Sequence, residues 1–265
     1  MQDPSQTTER LNLGKVFILP GIEGTSYWNR STRQGLLEAG VPYALEIFEW
    51  TTGWRPLSLY HLRSRKLHQS SSSRLVDRIA AYREEYPNRP VYLVGHSGGA
   101  GLSMLTLSRL PAELTVTGAV LLSAAISPYY DAVSALQRTQ RGIWNFRSWG
   151  DFFFLGLGTS VMGTIDGRHT PSAGMIGFSE EIHRAVQQAQ LPPLREMPYR
   201  WEYVKHFHFS GHFGYVLSPF AKSVIAPILC ESLPSTAPQS TRSAIETAAS
   251  ETSQLATSAL CEIVG

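Results

Sequence analysis

Cysteine is scarce in this chain, with Cys230 and Cys261 the only two among 265 residues. No Cys-x-x-Cys spacing exists, so neither a zinc site nor a disulfide framework is indicated. Charge is sparse as well. Charged residues make up 17% of the chain and the net charge is +2, too mild a surplus to point to nucleic acid. The one dense basic cluster, Arg63, Arg65 and Lys66, runs into Gln69 and the serines at 70–73. It reads as a solvated loop. No apolar run approaches the length of a transmembrane helix. Residues 1–10 are polar and lack the apolar core of a secretion signal, so a cytoplasmic location is the expectation.

What the chain does have is size and a patterned apolar content. At 265 residues and 43% hydrophobic, one domain with a large core is expected. Its most informative stretch is 91–100. Val91, Tyr92, Leu93 and Val94 follow Pro90 as a short apolar run, the signature of a buried strand. Gly95-His96-Ser97-Gly98-Gly99 follows, and Leu102, Leu105, Leu107 and Leu110 continue with apolar spacing close to that of a helix. Gly-x-Ser-x-Gly between a strand and a helix is a nucleophile elbow. The turn is so tight that the serine takes a strained conformation and its hydroxyl stands clear of the sheet. The glycines two before and two after it let neighbouring backbone pass without a Cβ clash. The plainer alternative is that Gly98-Gly99 serves helix packing and Ser97 caps that helix.

On these residues the chain resembles the α/β-hydrolase superfamily, in a compact serine esterase or lipase-like form. The resemblance covers about residues 15–230. It implies a Ser–Asp/Glu–His triad in that chain order and an oxyanion hole, with no metal and no organic cofactor.

The rest of the chain suits an α/β fold. Residues 15–19, 43–48, 91–95, 116–124, 143–146 and 202–207 read as strands, with helical patterns between them. A helix over 26–39 stops at Gly40, and one capped near Ser73 runs to about Tyr86. The alternation predicts a mainly parallel sheet of about six strands with helices on both faces. Only fourteen residues precede Lys15, so the strand pair that opens the fuller hydrolase pattern is expected to be reduced or absent. Residues 1–14 read as an N-terminal arm, 15–232 as the hydrolase domain, and 233–265 as a flexible or marginally helical Ser/Thr/Ala-rich tail.

The remaining site residues follow from where active sites lie in such sheets, at the strand carboxyl ends. His212, in Ser-Gly-His-Phe-Gly after the last expected strand, stands where the family places its base. His208 is the competitor. His96 is expected to pack beside Ser97, and His61 and His68 fall in the basic loop. Three aspartates lie between Ser97 and His212. Asp151 follows the strand at 143–146, Asp166 sits in a Gly-rich turn, and Asp131 follows the preceding strand. Asp151 is preferred on topology, with Asp166 the alternative acid and Asp131 still open. Gly98 N–H is one oxyanion donor. The family's His-Gly-x loop is replaced here by Pro20-Gly21-Ile22, which makes Ile22 N–H the second candidate. Glu23 reads as a local cap without assigned chemistry. The run Phe152-Phe153-Phe154-Leu155-Gly156-Leu157 lines an acyl pocket or lid, or simply packs in the core. Trp28, Trp50 and Trp54 are candidate aromatic walls.

Together these point to hydrolysis of a small-molecule acyl ester through an acyl-enzyme. Acyl transfer or thioester cleavage with the same residues, and a non-catalytic hydrolase-like binding protein, stay open. Oligomeric state and the natural substrate are not legible.

Overall fold

The computed structural model describes residues 3–151, 155–156 and 158–231. A six-stranded, all-parallel sheet runs through it in the order β2-β1-β3-β4-β5-β6. The chain opens with helix α1 (Thr8–Leu13), then β1 (Lys15–Leu19), α2 (Tyr27–Glu38) and β2 (Ala44–Ile47). Helices α3 (Ser58–Arg63) and α4 (Arg65–Glu85) lead to β3 (Val91–His96) and α5 (Gly98–Leu107). β4 (Gly118–Leu122), α6 (Ala132–Leu136) and β5 (Ile143–Arg147) follow. Short helices α7 (Thr159–Met162) and α8 (Ala173–Ile176) precede α9 (Glu180–Gln188) and β6 (Leu194–Pro198). The last described helical stretch is α10 (Ser218–Phe220), a π turn (Ala221–Ile225) and α11 (Ala226–Cys230). The expected tail, 233–265, lies outside the described residues, and no strand precedes β1 among those described.

Strands β1, β3 and β4 are buried at every position, which is why they read as continuous apolar runs rather than as alternation. Their side chains still alternate between two cores. Phe17, Leu19 and Leu93 face Leu75, Ile79, Leu102 and Leu107 of α4 and α5. Val16, Ile18 and Val94 face Leu36, Phe220, Ile225 and Leu229 of α2 and the C-terminal helices. Helix α2 ends as its sequence predicts. Gly40 takes a positive φ, Gly40 N–H bonds Leu37 O and Val41 N–H bonds Leu36 O, a Schellman motif that only a residue tolerant of the left-handed region closes without strain.

Three expectations are corrected. Residues 202–207 are not the last strand: Trp201–His206 is a 3₁₀ helix, and the sixth strand is Leu194–Pro198. Pro192, Pro193 and Pro198 disguised it, but an edge strand tolerates proline where no ladder donor is needed. Next, the basic cluster and serine run are not a loop. Arg63 ends α3, and Arg65, Lys66 and the serines belong to the 21-residue α4, capped by Ser64 rather than Ser73, with the Ser64 hydroxyl accepting from Leu67 N–H. Serine is a modest helix former, and here packing overrides propensity. Ser71 and Ser72 are buried, and Ser71 Oγ donates to Trp50 O at 2.7 Å. Finally, His61 and His68 are buried rather than exposed on that loop. The segment read as an arm holds α1 and is tied to β2, with Leu45 N–H donating to Ser5 O at 2.7 Å.

His208 occupies an aromatic cage on the second core face. Its ring lies 3.9 Å from that of Tyr215 and 5.1 Å from that of Tyr199, with Tyr203 and Phe220 completing the wall. Neither ring nitrogen has a hydrogen-bond partner among the described residues. Burial therefore pushes its pKa down to about 4. A cation there would lose its hydration with nothing in return.

Two outcomes follow. A Cβ on Gly35 of α2 would fall 2.3 Å from Ser218 O, and Ser218 is itself held by Ser31 Oγ at 2.8 Å. Alanine would gain about 1 kcal/mol of helix propensity and cost about 1–3 kcal/mol in overpacking. Gly35→Ala is expected to lower unfolding free energy in urea, and a stabilised variant would show that the helices part easily. The second concerns pH. His208 is harder to protonate folded than unfolded, so stability is complete above the unfolded pKa near 6.5 and falls as pH drops toward 4. The loss attributable to this residue between pH 7 and pH 5 is about 2 kcal/mol. Urea titrations at both pH values should show a shallower pH slope in His208→Phe, and an identical slope would remove His208 as the cause.

Candidate active site

Ser97 sits between the last residue of β3 and the first of α5, with φ 53° and ψ −119°. For a non-glycine residue this conformation costs on the order of 1–3 kcal/mol and persists only where the surroundings enforce it. They do so here. Ser97 N–H donates to Leu122 O of β4 at 2.9 Å, while Ala100 N–H, Gly101 N–H and Ala125 N–H all converge on Ser97 O. The glycines are dictated by backbone proximity. A Cβ on Gly99 would lie 2.2 Å from Pro20 O, and one on Gly95 would lie 2.6 Å from Gly99 O. The elbow helix therefore packs directly on the loop after β1.

That loop carries Ile22. A Cβ on Gly98 would fall 2.7 Å from Ile22 Cγ2 and 3.6 Å from Ile22 N, so the Gly98 and Ile22 amides are neighbours beside Ser97. Side chains from elsewhere in the chain brace this loop. Trp50 Nε1–H donates to Pro20 O at 2.7 Å, and His61 Nδ1 lies 2.8 Å from Ile22 O. Trp50 is thus a buried brace rather than a pocket wall.

Asp151 and His212 come from loops that are clasped together. Ser148 Oγ donates to Ser210 O at 2.8 Å and lies 2.7 Å from Ser210 Oγ. A Cβ on Gly150 would strike Ser210 Oγ at 2.4 Å. The clasp brings the buried Asp151 carboxylate onto His212, whose Nδ1 is hydrogen-bonded to Asp151 Oδ2. His212 is also held from the elbow, where His96 Nε2–H donates to His212 O at 3.1 Å. Burial pushes the His96 pKa down to about 3, and the nearby His212 adds to that shift, so His96 is a neutral donor at any ordinary pH.

The other candidates lie elsewhere. Asp166 Oδ1 accepts from Ser127 N–H at 2.9 Å and borders a separate cleft with Arg65 and Arg109. Asp131 caps α6, accepting from Val133 N–H at 3.0 Å. His208 is enclosed in its aromatic cage. Among the described residues, no group of His, Cys, Asp or Glu is placed to hold a metal ion, and no helix is long and apolar enough to cross a membrane.

Ser97 and His212 line one cavity of about 370 Å³. Its walls are mostly apolar, formed by Leu59 and Leu62 of α3, Met162 of α7, Leu155, Ala125 and Phe213. Trp28 stacks on Phe213 at 4.6 Å, one shell behind the wall, whereas Trp54 is exposed. Of the aromatic run after Asp151, Phe152, Phe153, Phe154 and Leu157 lie outside the described residues. Sequence reasoning missed Glu23, which lines this cavity as well. Burial holds its carboxyl above the usual range, while its own N–H, His212 and Ser26 Oγ pull the other way. Its position in Pro-Gly-Ile-Glu-Gly was the available signal.

No protein-family model and no curated protein matches the chain. Among solved structures it is similar to a poly(3-hydroxybutyrate) depolymerase from Bordetella parapertussis, at 15% identity over 88% of this chain and 83% of that one, with a TM-score of 0.48. It is also similar to a cutinase-like protein from Cryptococcus sp., at 16% identity over 62% of this chain and 73% of that one, with a TM-score of 0.32. The chain has an α/β fold, a six-stranded all-parallel sheet with a strand–serine–helix elbow between β3 and α5.

Proposed function

We propose that this chain is a serine hydrolase that cleaves carboxylic esters with apolar acyl groups. One observation carries the proposal. An imidazole hydrogen-bonded through Nδ1 to a buried carboxylate shares an apolar cavity with a serine held at positive φ.

In this mechanism Ser97 Oγ attacks the ester carbonyl while His212 Nε2 takes its proton. Asp151 fixes the Nδ1–H tautomer and stabilises the imidazolium that forms. The carbonyl oxygen becomes an oxyanion and accepts from the Gly98 and Ile22 amides. Each such donor is worth roughly 3 kcal/mol because it is in place before charge develops. Collapse expels the alcohol, protonated by His212, and leaves Ser97 acylated. Water then attacks the acyl-enzyme with His212 again as base, and the acid leaves. The chemistry requires no metal or organic cofactor. The apolar walls around Leu59, Leu62 and Met162 take the acyl chain, and each buried methylene contributes about 0.8 kcal/mol.

Hydrolysis of p-nitrophenyl acetate and octanoate by purified protein is the direct test. The octanoate is expected to have the higher kcat/KM, rising roughly fourfold per methylene until the cavity is filled. Ser97→Ala should lose at least about a thousandfold in kcat, and Asp151→Asn about ten-thousandfold through the wrong imidazole tautomer. Asp166→Asn should stay within about twofold, since Asp166 does not touch His212. Full activity in Ser97→Ala sinks the mechanism. A collapse confined to Asp166→Asn sinks the choice of acid.

A further inference from the structure

We infer that His61 is a positioning residue for the oxyanion hole, setting the direction of the Ile22 amide from the helix that walls the acyl cavity. The inference rests on the esterase function proposed above and assigns a role to a histidine outside its mechanism.

The geometry is a sequence of three consecutive peptide groups, each held separately. Trp50 Nε1–H bonds the Pro20 carbonyl at 2.7 Å. The Gly21 carbonyl, in the same peptide plane as the Ile22 N–H, accepts from Gly24 N–H at 3.1 Å. His61 Nδ1–H bonds the Ile22 carbonyl at 2.8 Å. A peptide group is planar, so fixing the carbonyl before it, its own carbonyl and the carbonyl after it leaves the Ile22 N–H little freedom to turn. Of these holds, the one from His61 reaches across 39 residues.

His61 can play this part because its own state is fixed. It is fully buried. Thr52 N–H donates to Nε2 at 3.3 Å, and Thr52 Oγ lies 2.7 Å from the same atom. A backbone N–H aimed at Nε2 makes that nitrogen the acceptor, so Nδ1 carries the proton that Ile22 O requires. Behind it, His68 Nε2–H donates to the His61 carbonyl at 2.6 Å, and the Trp50 ring lies 6.3 Å from His61 and 6.0 Å from His68. Two brace residues, Trp50 and His61, therefore pack on one another before they reach the loop.

The placement of His61 on α3 links the two halves of the site. Ser58, Leu59 and Leu62 of the same helix line the acyl cavity. An acyl chain seated against Leu59 and Leu62 thus rests on the helix that holds the oxyanion loop. Misplacing a donor by about 1 Å costs up to about a hundredfold in rate, so the link is large enough to measure.

The test uses the full-length chain and three inhibition or rate measurements. These are kcat/KM for p-nitrophenyl octanoate, Ki for an alkyl trifluoromethyl ketone, and Ki for the matching methyl ketone. The trifluoromethyl ketone forms a hemiketal on Ser97 and places an oxyanion in the hole, whereas the methyl ketone reports ground-state occupancy of the cavity. His61→Leu is expected to lower kcat/KM about ten- to a hundredfold and weaken the trifluoromethyl ketone by the same factor. The methyl ketone should change by less than about twofold, and His61→Asn, which keeps a donor near the Nδ1 position, should recover most of the loss. Equal weakening of both ketones would mean that His61 only supports the cavity wall, and it would overturn the inference. So would unchanged kinetics in folded His61→Leu. If His61→Leu does not fold, Thr52→Val, which removes the hydroxyl at Nε2, is expected to show the same unequal ketone pattern at smaller size. Equal or absent effects there overturn the inference as well. Retained esterase activity in Ser97→Ala would instead refute the parent mechanism, whatever His61 does.

Discussion

The contact between the elbow helix and the loop after β1 governs the rest of this structure. Gly99 lies so close to the Pro20 carbonyl that a single methyl group would not fit. That closeness seats α5 directly on the loop, brings Gly98 beside Ile22, and leaves the serine lining the cavity. Larger side chains at 98 or 99 would push α5 from the sheet and separate the three groups. The burial of β1, β3 and β4 on both faces supplies the rigid base for this contact. Without a packed base, the strain at Ser97 would relax into an ordinary turn.

A second constraint is topological. Parallel strands β1, β3 and β5 all point their carboxyl ends to one edge, so loops far apart in sequence meet there. Meeting is not alignment, however. Each loop is fastened by a specific bond: Ser148 to Ser210 between the loops of Asp151 and His212, His96 to His212 O from the elbow, and His61 to Ile22 O from α3. Of these fasteners His96 lies within the elbow motif, whereas Ser148 and His61 belong to none.

That difference explains what could be read from the sequence. The elbow was legible because its glycines answer a local steric demand, and β1, β3 and β4 because double burial makes apolar runs. Strand β6 was hidden by Pro192 and Pro193 before it and by Pro198 at its end, which an edge position tolerates, and Tyr203, Val204 and Phe207 gave 202–207 the β-forming residues of a strand although Trp201–His206 coils as a 3₁₀ helix. Helix α4 was cut short because its serines look like a loop until Trp50 O is seen to accept from Ser71. The contacts that bring Asp151, rather than Asp166 or Asp131, to His212 are long-range, and no spacing encodes them. Glu23 and His61 were passed over for the same reason, since their partners lie in space rather than along the chain.

The buried histidines show how one residue type is divided between holding structure and moving protons. His61, His68, His96, His208 and His212 are all buried. Three of them face backbone carbonyls: Ile22 O, His61 O and His212 O. A carbonyl rewards an N–H but gives a full cation far less than a carboxylate does. His208 faces only aromatic rings and has no such reward. Burial accordingly lowers the pKa of His68, His96 and His208. His212 alone of the five is bonded to a carboxylate, so it is the one whose protonated form has a partner waiting. A general base must accept a proton at the moment the serine attacks and must bear the charge until the leaving group takes it. By that criterion the environment of each imidazole, rather than its place in a motif, singles out His212 for the base role proposed above, while His61, His68 and His96 hold backbone carbonyls and His208 packs among aromatic rings.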